Sequence, residues 1–297
     1  MDGAMRAPLR SRDGRVGIAL HGGAGSSPGS DYSRELEHMR GLVEEGRQRL
    51  GAGASAFDIV FDTVAELEAS GLYIAGRGSS PNLAGEFELD ACIMDGTTAQ
   101  AGAVAALQGF ESPIAVARAL IGKSPHVMLA GEGAGLFARL VAAAPIGDQA
   151  TWFRPACTYE RHVQTGTVGC VARDTQGNLA AATSTGGVFG KMPGRCGDTP
   201  VIGAGCWADR DVAVCCTGHG EFFIRRAAAA QVSHRMRWAD QSVDEACEAT
   251  LAEIAELGGS GGIIAIDAMG NVAMPFRSTG LKRASLLPDG SIYAAAF

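Results

Sequence analysis

Thr167 stands at the end of an irregular stretch, in the run Gln164-Thr165-Gly166-Thr167-Val168-Gly169-Cys170, just where an apolar strand begins. Threonine is a poor nucleophile without a base beside it. A cut between Gly166 and Thr167 would give this threonine its own base. The freed α-amine has a pKa of roughly 7.7–8, and a terminal amine next to its own hydroxyl is a known way to activate threonine. In the uncut chain the same nitrogen is an amide and accepts no proton. Gly166 suits such a cut, because it has no Cβ to block the approach to its carbonyl carbon. Self-cleavage and hydrolysis of a substrate amide both pass through a tetrahedral oxyanion, so both need fixed donors.

Possible partners follow in order along the chain. Thr185 closes the strand-like run Ala180-Ala181-Ala182-Thr183-Ser184-Thr185 and is placed to orient Thr167. Thr217-Gly218 ends an apolar strand before a helix, which suits a hydroxyl and a backbone N–H aimed at an oxyanion. Arg195 and Asp198 share a turn-rich loop. Arginine grips a carboxylate with two parallel hydrogen bonds, and aspartate holds an ammonium, so together they would read the free end of an amino acid. Each residue also has an ordinary reading. Threonine is common in strands for its β-propensity, and Arg195 with Asp198 would make a surface ion pair worth little. The case for chemistry rests on the ordered set.

Bulk properties narrow the classes. The 297 residues are 46% hydrophobic and 19% charged, which fits a folded globular chain with a sizeable core. A net charge of −7 argues against nucleic acid or an anionic membrane as partner. No apolar run reaches the roughly 18–20 residues needed to span a bilayer. Residues 1–15 read as a short tail without the apolar core of a signal peptide. The cytoplasm is the expected location. Eight cysteines, none in a C-x-x-C pair, read as small buried apolar residues of a reducing compartment. The histidines show no metal-ligand spacing, and no cofactor is expected for catalysis.

The elements that must position these residues come from periodicity and turn signals. Strands are predicted over 16–20, 87–94, 101–107, 168–173, 179–183, 201–207, 212–216, 262–267 and 271–276. Helices are predicted over 33–50, 54–69, 113–121, 132–144, 221–238 and 242–257. Residues 145–166 read as a linker. Hairpins alternating with helix pairs in both halves predict an α+β fold of two antiparallel sheets covered by helices.

Taken together, these segments resemble the plant-type asparaginase and isoaspartyl peptidase family of N-terminal nucleophile hydrolases. The resemblance is carried by Ala19-Leu20-His21-Gly22-Gly23-Ala24-Gly25, Glu88-Leu89-Asp90-Ala91, Met94-Asp95-Gly96 and Lys123-Ser124-Pro125-His126-Val127-Met128. It continues through Gly166-Thr167-Val168-Gly169, Ala181-Ala182-Thr183-Ser184-Thr185-Gly186-Gly187, Pro193-Gly194-Arg195, Gly197-Asp198, Gly203-Ala204-Gly205, Thr217-Gly218 and Gly220-Glu221. It runs nearly end to end.

The resemblance implies an αββα four-layer sandwich over 1–297, cut into an α chain (1–166) and a β chain (167–297) that pair as (αβ)2. By position, Thr167 would be nucleophile and base, Thr185 its assistant, and Thr217 with Gly218 the oxyanion hole. Arg195 would hold the substrate α-carboxylate, with Asp198 and the Gly220 carbonyl on the α-amine and His219 beside them. Substrates would be β-aspartyl dipeptides and asparagine. A structural sodium would sit on the backbone carbonyls of Leu67, Glu68, Ser70, Tyr73, Ala75 and Arg77.

Some positions depart from the family pattern. Ile74 stands where an asparagine is common near the nucleophile. His219 replaces a small polar residue, and Arg277 opens an altered Arg277-Ser278-Thr279-Gly280 segment. Ser79-Ser80-Pro81-Asn82 occupies a stretch expected to be apolar. Ile74 also motivates an alternative reading, an uncut and inert relative with a binding role.

Overall fold

The computed structural model describes residues 13–156 and 166–297. The predicted N-terminal tail up to residue 12, Cys157, and the linker over 157–165 lie outside the described residues. The first half of the chain supplies β1 (Gly17–Ala24), α1 (Ser33–Gly51), α2 (Ala56–Ser70), β2 (Leu89–Asp95), β3 (Ala101–Leu107), α3 (Pro113–Lys123), β4 (Met128–Ala130), α4 (Gly131–Leu140) and the single turn α5 (Gln149–Trp152). The second supplies β5 (Val168–Arg173), β6 (Leu179–Thr185), β7 (Cys206–Ala208), β8 (Val212–Gly218), α6 (Gly220–Arg226), α7 (Ala228–Ala239) and α8 (Val243–Glu256). It ends in β9 (Gly261–Asp267), β10 (Val272–Ala273), β11 (Phe276–Arg277), β12 (Leu281–Leu286) and β13 (Ile292–Ala295).

Two sheets form, of eight and five strands. The larger runs β13-β12-β1-β5-β6-β2-β3-β4, and the smaller β10-β9-β8-β7, with β11 also on β9. Side chains divide them into four layers. Ile18, Leu20, Ile93, Val104, Val168 and Cys170 pack under α1 to α4. Ala19, Cys92, Val171, Ala181, Cys215, Ile264 and Ile266 fill the space between the sheets. Val214, Cys216, Ile263 and Ala265 pack under α6 to α8. Successive strand residues therefore face opposite layers, and with both faces covered most strand positions are buried. This is the α+β sandwich that the sequence predicts.

Local chemistry starts and stops the helices. Ser55 caps α2 by accepting from the Asp58 N–H, and Gly71 closes it at φ 70°. Ser242 and Glu245 cap α8 reciprocally.

Several predicted elements are corrected. The larger sheet is not wholly antiparallel, because β4 pairs with β3 in parallel. The helix predicted over 221–238 breaks at Ala227, whose φ of 47° turns the chain between α6 and α7. Only Cys206–Ala208 is strand within 201–207; the residues before it make tight turns. The hairpin predicted over 262–276 splits its return arm into β10 and β11, both on β9. The linker is partly folded. Phe153 stacks on Phe87 with ring centroids 3.6 Å apart, and the Arg154 and Ala156 N–H groups donate to the Arg77 and Gly78 carbonyls.

Candidate active site

Thr167 is buried at the start of β5, and with the Gly166–Thr167 bond intact it lies at the centre of a closed ring of contacts. Its Oγ1 is 3.4 Å from Thr199 Oγ1. Thr199 follows Asp198, and Asp198 packs on Gly220, where a Cβ would lie 2.6 Å from Asp198 Oδ1. Two residues before Gly220, Gly218 adopts φ +146° against the Ser260 carbonyl and Gly261, where only glycine fits. Thr217 Oγ1 then accepts from the Ala24 N–H at 3.2 Å. Beside Ala24, Gly23 closes the ring: a Cβ there would lie 3.0 Å from Gly166 Cα and 3.3 Å from Thr167 N.

Thr185 sits over the bond expected to break. Its hydroxyl donates to the Gly166 carbonyl at 2.6 Å, and it accepts from the Gly187 N–H at 2.9 Å. The Ile74 carbonyl is a weaker alternative acceptor at 3.4 Å. A hydroxyl has one proton, so the shorter contact takes it. That hydrogen bond draws electron density from the scissile carbonyl. Ile74 packs its side chain on Gly166, where a Cβ would lie 2.7 Å from Ile74 Cβ. Its backbone carbonyl also accepts from the Gly186 N–H at 3.0 Å. Its bond to Gly186 and its contact with Thr185 use the backbone carbonyl, which any residue at position 74 supplies. Gly166 is thus required twice, for attack and for packing.

Thr217 accepts from Ala24 N–H, which leaves its own proton free to donate. His219 forms the outer wall; its N–H donates to the Ser260 carbonyl, and its Nδ1 lies 3.4 Å from Ser260 Oγ.

The charged groups of the site are Arg195, Asp198 and Glu221. Arg195 gives its Nε and one terminal nitrogen to Glu221 Oε1, at 2.9 and 2.7 Å. The other terminal nitrogen lies against Gly197, the residue before Asp198. Asp198 is buried, and its Oδ2 has no hydrogen-bond partner among the described residues. Burial pushes its carboxyl up to about 7; Arg195 opposes this, while Glu221 and Asp90 add to it. An unpartnered buried carboxylate beside an arginine is built to receive a group with positive and negative ends.

His21 is also buried at the site, with burial holding its imidazole down at about 3. It stays neutral at working pH and packs against Gly169, across from it on β5. No described residues group histidine, cysteine, aspartate or glutamate as a metal site.

Of the carbonyls expected to hold a sodium, those of Leu67, Glu68 and Ser70 lie in the last turn of α2, and only those of Tyr73, Ala75 and Arg77 lie in the loop after it. Gly76 has φ +50°, and a Cβ on it would lie 2.7 Å from the Glu68 carbonyl oxygen; a Cβ on Gly78 would strike that of Tyr73. The carbonyls of Leu67, Tyr73, Ala75 and Arg77 each accept one hydrogen bond, from Ser70 Oγ and from the N–H groups of Ala75, Gly78 and Arg154. Each keeps a second lone pair.

The described structure therefore brings together Thr167, Thr185, Thr217, Gly218, Asp198 and Gly220, and places Arg195 at their edge. Sequence reasoning missed Thr199 and Glu221. Thr199 had a signal in its place next to Asp198; Glu221 stood in the Gly220-Glu221 pair that carries the resemblance, but its contact with Arg195 shows only once α6 is folded.

The family model described as asparaginase matches residues 14–152 and 146–291. The chain belongs to the asparaginase family. An isoaspartyl peptidase of Salmonella typhimurium is 45% identical over 294 residues, covering 90% of this chain and 94% of that protein. An isoaspartyl peptidase of Escherichia coli is 44% identical over 298 residues, covering 91% and 92%. A human isoaspartyl peptidase/L-asparaginase is 36% identical over 294 residues, covering 93% and 94%. Asparaginase-family membership thus covers both sides of the 166–167 bond and all the residues of the ring. No helix among the described residues is long and apolar enough to cross a membrane.

Proposed function

We propose that this chain is a hydrolase of the isoaspartyl peptidase and asparaginase type, which matures by cutting itself between Gly166 and Thr167. The observation that carries this reading is the 2.6 Å bond from Thr185 Oγ1 to the Gly166 carbonyl, one residue before a buried threonine hydroxyl. In self-cleavage, Thr167 Oγ1 attacks the Gly166 carbonyl carbon and forms an ester as the amide C–N bond breaks. Water then opens the ester, leaving 1–166 with a carboxylate and Thr167 with a free amine. The amine now takes the hydroxyl proton, and Oγ1 attacks the side-chain carbonyl of an aspartyl substrate. Thr217 Oγ1–H and the Gly218 N–H hold the oxyanion. The amine returns its proton to the departing amine or ammonia, and water releases aspartate.

Arg195 and Asp198 read the α-carboxylate and α-ammonium of the aspartyl end and leave the departing group unread. That pair alone selects no departing group; the altered residues His219 and Arg277, read as lying beyond the aspartyl end, are the reason we expect a higher kcat/KM for β-aspartyl dipeptides than for asparagine. Steady-state kinetics on both substrates tests this, and a higher value for asparagine than for every dipeptide would contradict it. Nothing in the site favours the inert alternative, because position 74 meets Thr185 and Gly186 through its backbone carbonyl.

The pH dependence follows from two groups. Asp198 attracts an ammonium only when ionised, and its carboxyl sits up at about 7. The Thr167 amine acts as base only when neutral, above roughly 7.7–8. Both requirements point the same way, so kcat/KM is expected to rise with pH from about 6 to about 8. A flat profile over that interval would exclude both assignments.

Two further assignments belong to this reading. A sodium ion would sit on the carbonyls of Leu67, Glu68, Ser70, Tyr73, Ala75 and Arg77 and pin the loop that bears Ile74. Replacing sodium chloride by choline chloride at equal ionic strength should then lower Tm by several degrees, and an unchanged Tm would remove the ion. Cut molecules of 30.5 kDa would pair as (αβ)2 in the cytoplasm, and a light-scattering mass of one copy would refute the pairing.

A further inference from the structure

The loop 187–198, which carries Arg195 and Asp198, is held down by charges that the chemistry does not use. Lys191 is buried within it. Its Nζ donates to the Glu88 backbone carbonyl at 2.9 Å and lies 3.7 Å from Glu88 Oε2. The other oxygen, Glu88 Oε1, accepts from the Gly194 N–H at 2.7 Å. One glutamate just before β2 therefore grips both a side chain at 191 and the backbone at 194, next to Arg195. The Lys191 stem also fills the space over Gly187, where a Cβ would lie 2.8 Å from Lys191 Cδ, and the Gly187 N–H donates to Thr185 Oγ1. Asp90, across from Thr185 on β2, is buried beneath the same loop; its Oδ1 accepts from the Ala106 N–H at 2.7 Å.

A buried lysine with a buried glutamate is costly to desolvate and contributes little net stability over an apolar pair. Its effect here is geometric. We propose that Lys191 and Glu88 are a positioning pair that sets the aspartyl-binding groups Arg195 and Asp198 at a fixed distance from Thr167 and Thr185. The inference rests on the functional reading above. Self-cleavage supplies an internal control, because the Gly166–Thr167 bond presents no free α-carboxylate or α-ammonium and so needs neither Arg195 nor Asp198. Thr185 is fixed for that step by β6.

The test uses the full-length chain with Lys191→Met and with Glu88→Gln, which is nearly isosteric and keeps an acceptor for Gly194. Two readouts are taken: the half-time of cleavage by denaturing mass, and kcat and KM on a β-aspartyl dipeptide. Misplacing a binding group by a fraction of an ångström is expected to raise KM about 10- to 100-fold in Lys191→Met and about 3- to 10-fold in Glu88→Gln. Cleavage half-time and kcat should stay within about threefold of wild type. If Lys191→Met is insoluble, Glu88→Gln decides. An unchanged KM in a soluble, cleaved variant overturns the proposal, as does a parallel loss of cleavage and kcat. A wild-type chain that neither cleaves nor hydrolyses overturns the functional reading and this proposal with it. A wild type that does both, beside variants with unmoved KM, overturns the positioning pair alone.

Discussion

Thr167→Ala is expected to leave the chain whole and to lower kcat/KM on every aspartyl amide by about 10^4- to 10^6-fold, the range seen when the nucleophile of a hydrolase is removed. The size of the effect has two sources. The substitution removes the attacking oxygen, and because nothing then cuts at Gly166, it also leaves the α-amine locked in an amide. Thr167→Ser separates them. Serine keeps an oxygen and frees an amine, so the chain should still be cut and should regain a large part of the activity. Hydrolysis assays on the purified variants check both. Activity in Thr167→Ala above about a thousandth of wild type would place the nucleophile elsewhere.

Arg195→Ala is the second large effect. Removing the guanidinium that would pair with the bound substrate α-carboxylate is expected to cost about 10^2- to 10^3-fold in kcat/KM, carried mainly by KM. Glu221 holds one edge of the guanidinium through Oε1, and the other edge faces Gly197 and Asp198. That free edge is the one a substrate α-carboxylate would meet. Arg195→Lys should recover little, because an ammonium has the charge but not the planar fork. Cleavage at 166–167 should proceed normally in both variants. Kinetics on asparagine and on a β-aspartyl dipeptide should show the same fold loss, since both carry the same aspartyl end. A loss confined to one substrate would assign Arg195 to the leaving group instead.

The α+β sandwich and the places of the candidate site residues in it were legible. Thr167, Thr185, Asp198 and Thr217 each sit at a strand end or in a tight turn, where side-chain chemistry and backbone pattern coincide. What the sequence hid was long-range. Thr199 touches Thr167 across 32 positions, Lys191 reaches Glu88 across 103, and no local pattern announces either. No element is predicted after residue 276, yet β12 forms there and buries Lys282 and Arg283. The Arg283 terminal nitrogens reach the Leu281 carbonyl and the Tyr293 hydroxyl, so its charge is satisfied inside the fold. Short β4 gave too few residues for a period, and only its parallel partner β3 makes it a strand. The break at Ala227 had no glycine or proline to mark it; an alanine is held at positive φ by the packing of α6 and α7. Phe153 illustrates the opposite error. An aperiodic stretch with prolines reads as linker, but the Phe153 ring on Phe87 and the backbone bonds from Arg154 and Ala156 dock its first part.

The central claim is that Gly166 and Thr167 become a carboxylate and a free amine. The most direct measurement is the denaturing intact mass of freshly purified wild-type protein, followed over days, with N-terminal sequencing of the smaller fragment. The account predicts two fragments that together exceed the precursor mass by one water, the smaller beginning at Thr167. A stable single chain, or fragments divided at any other bond, would contradict it.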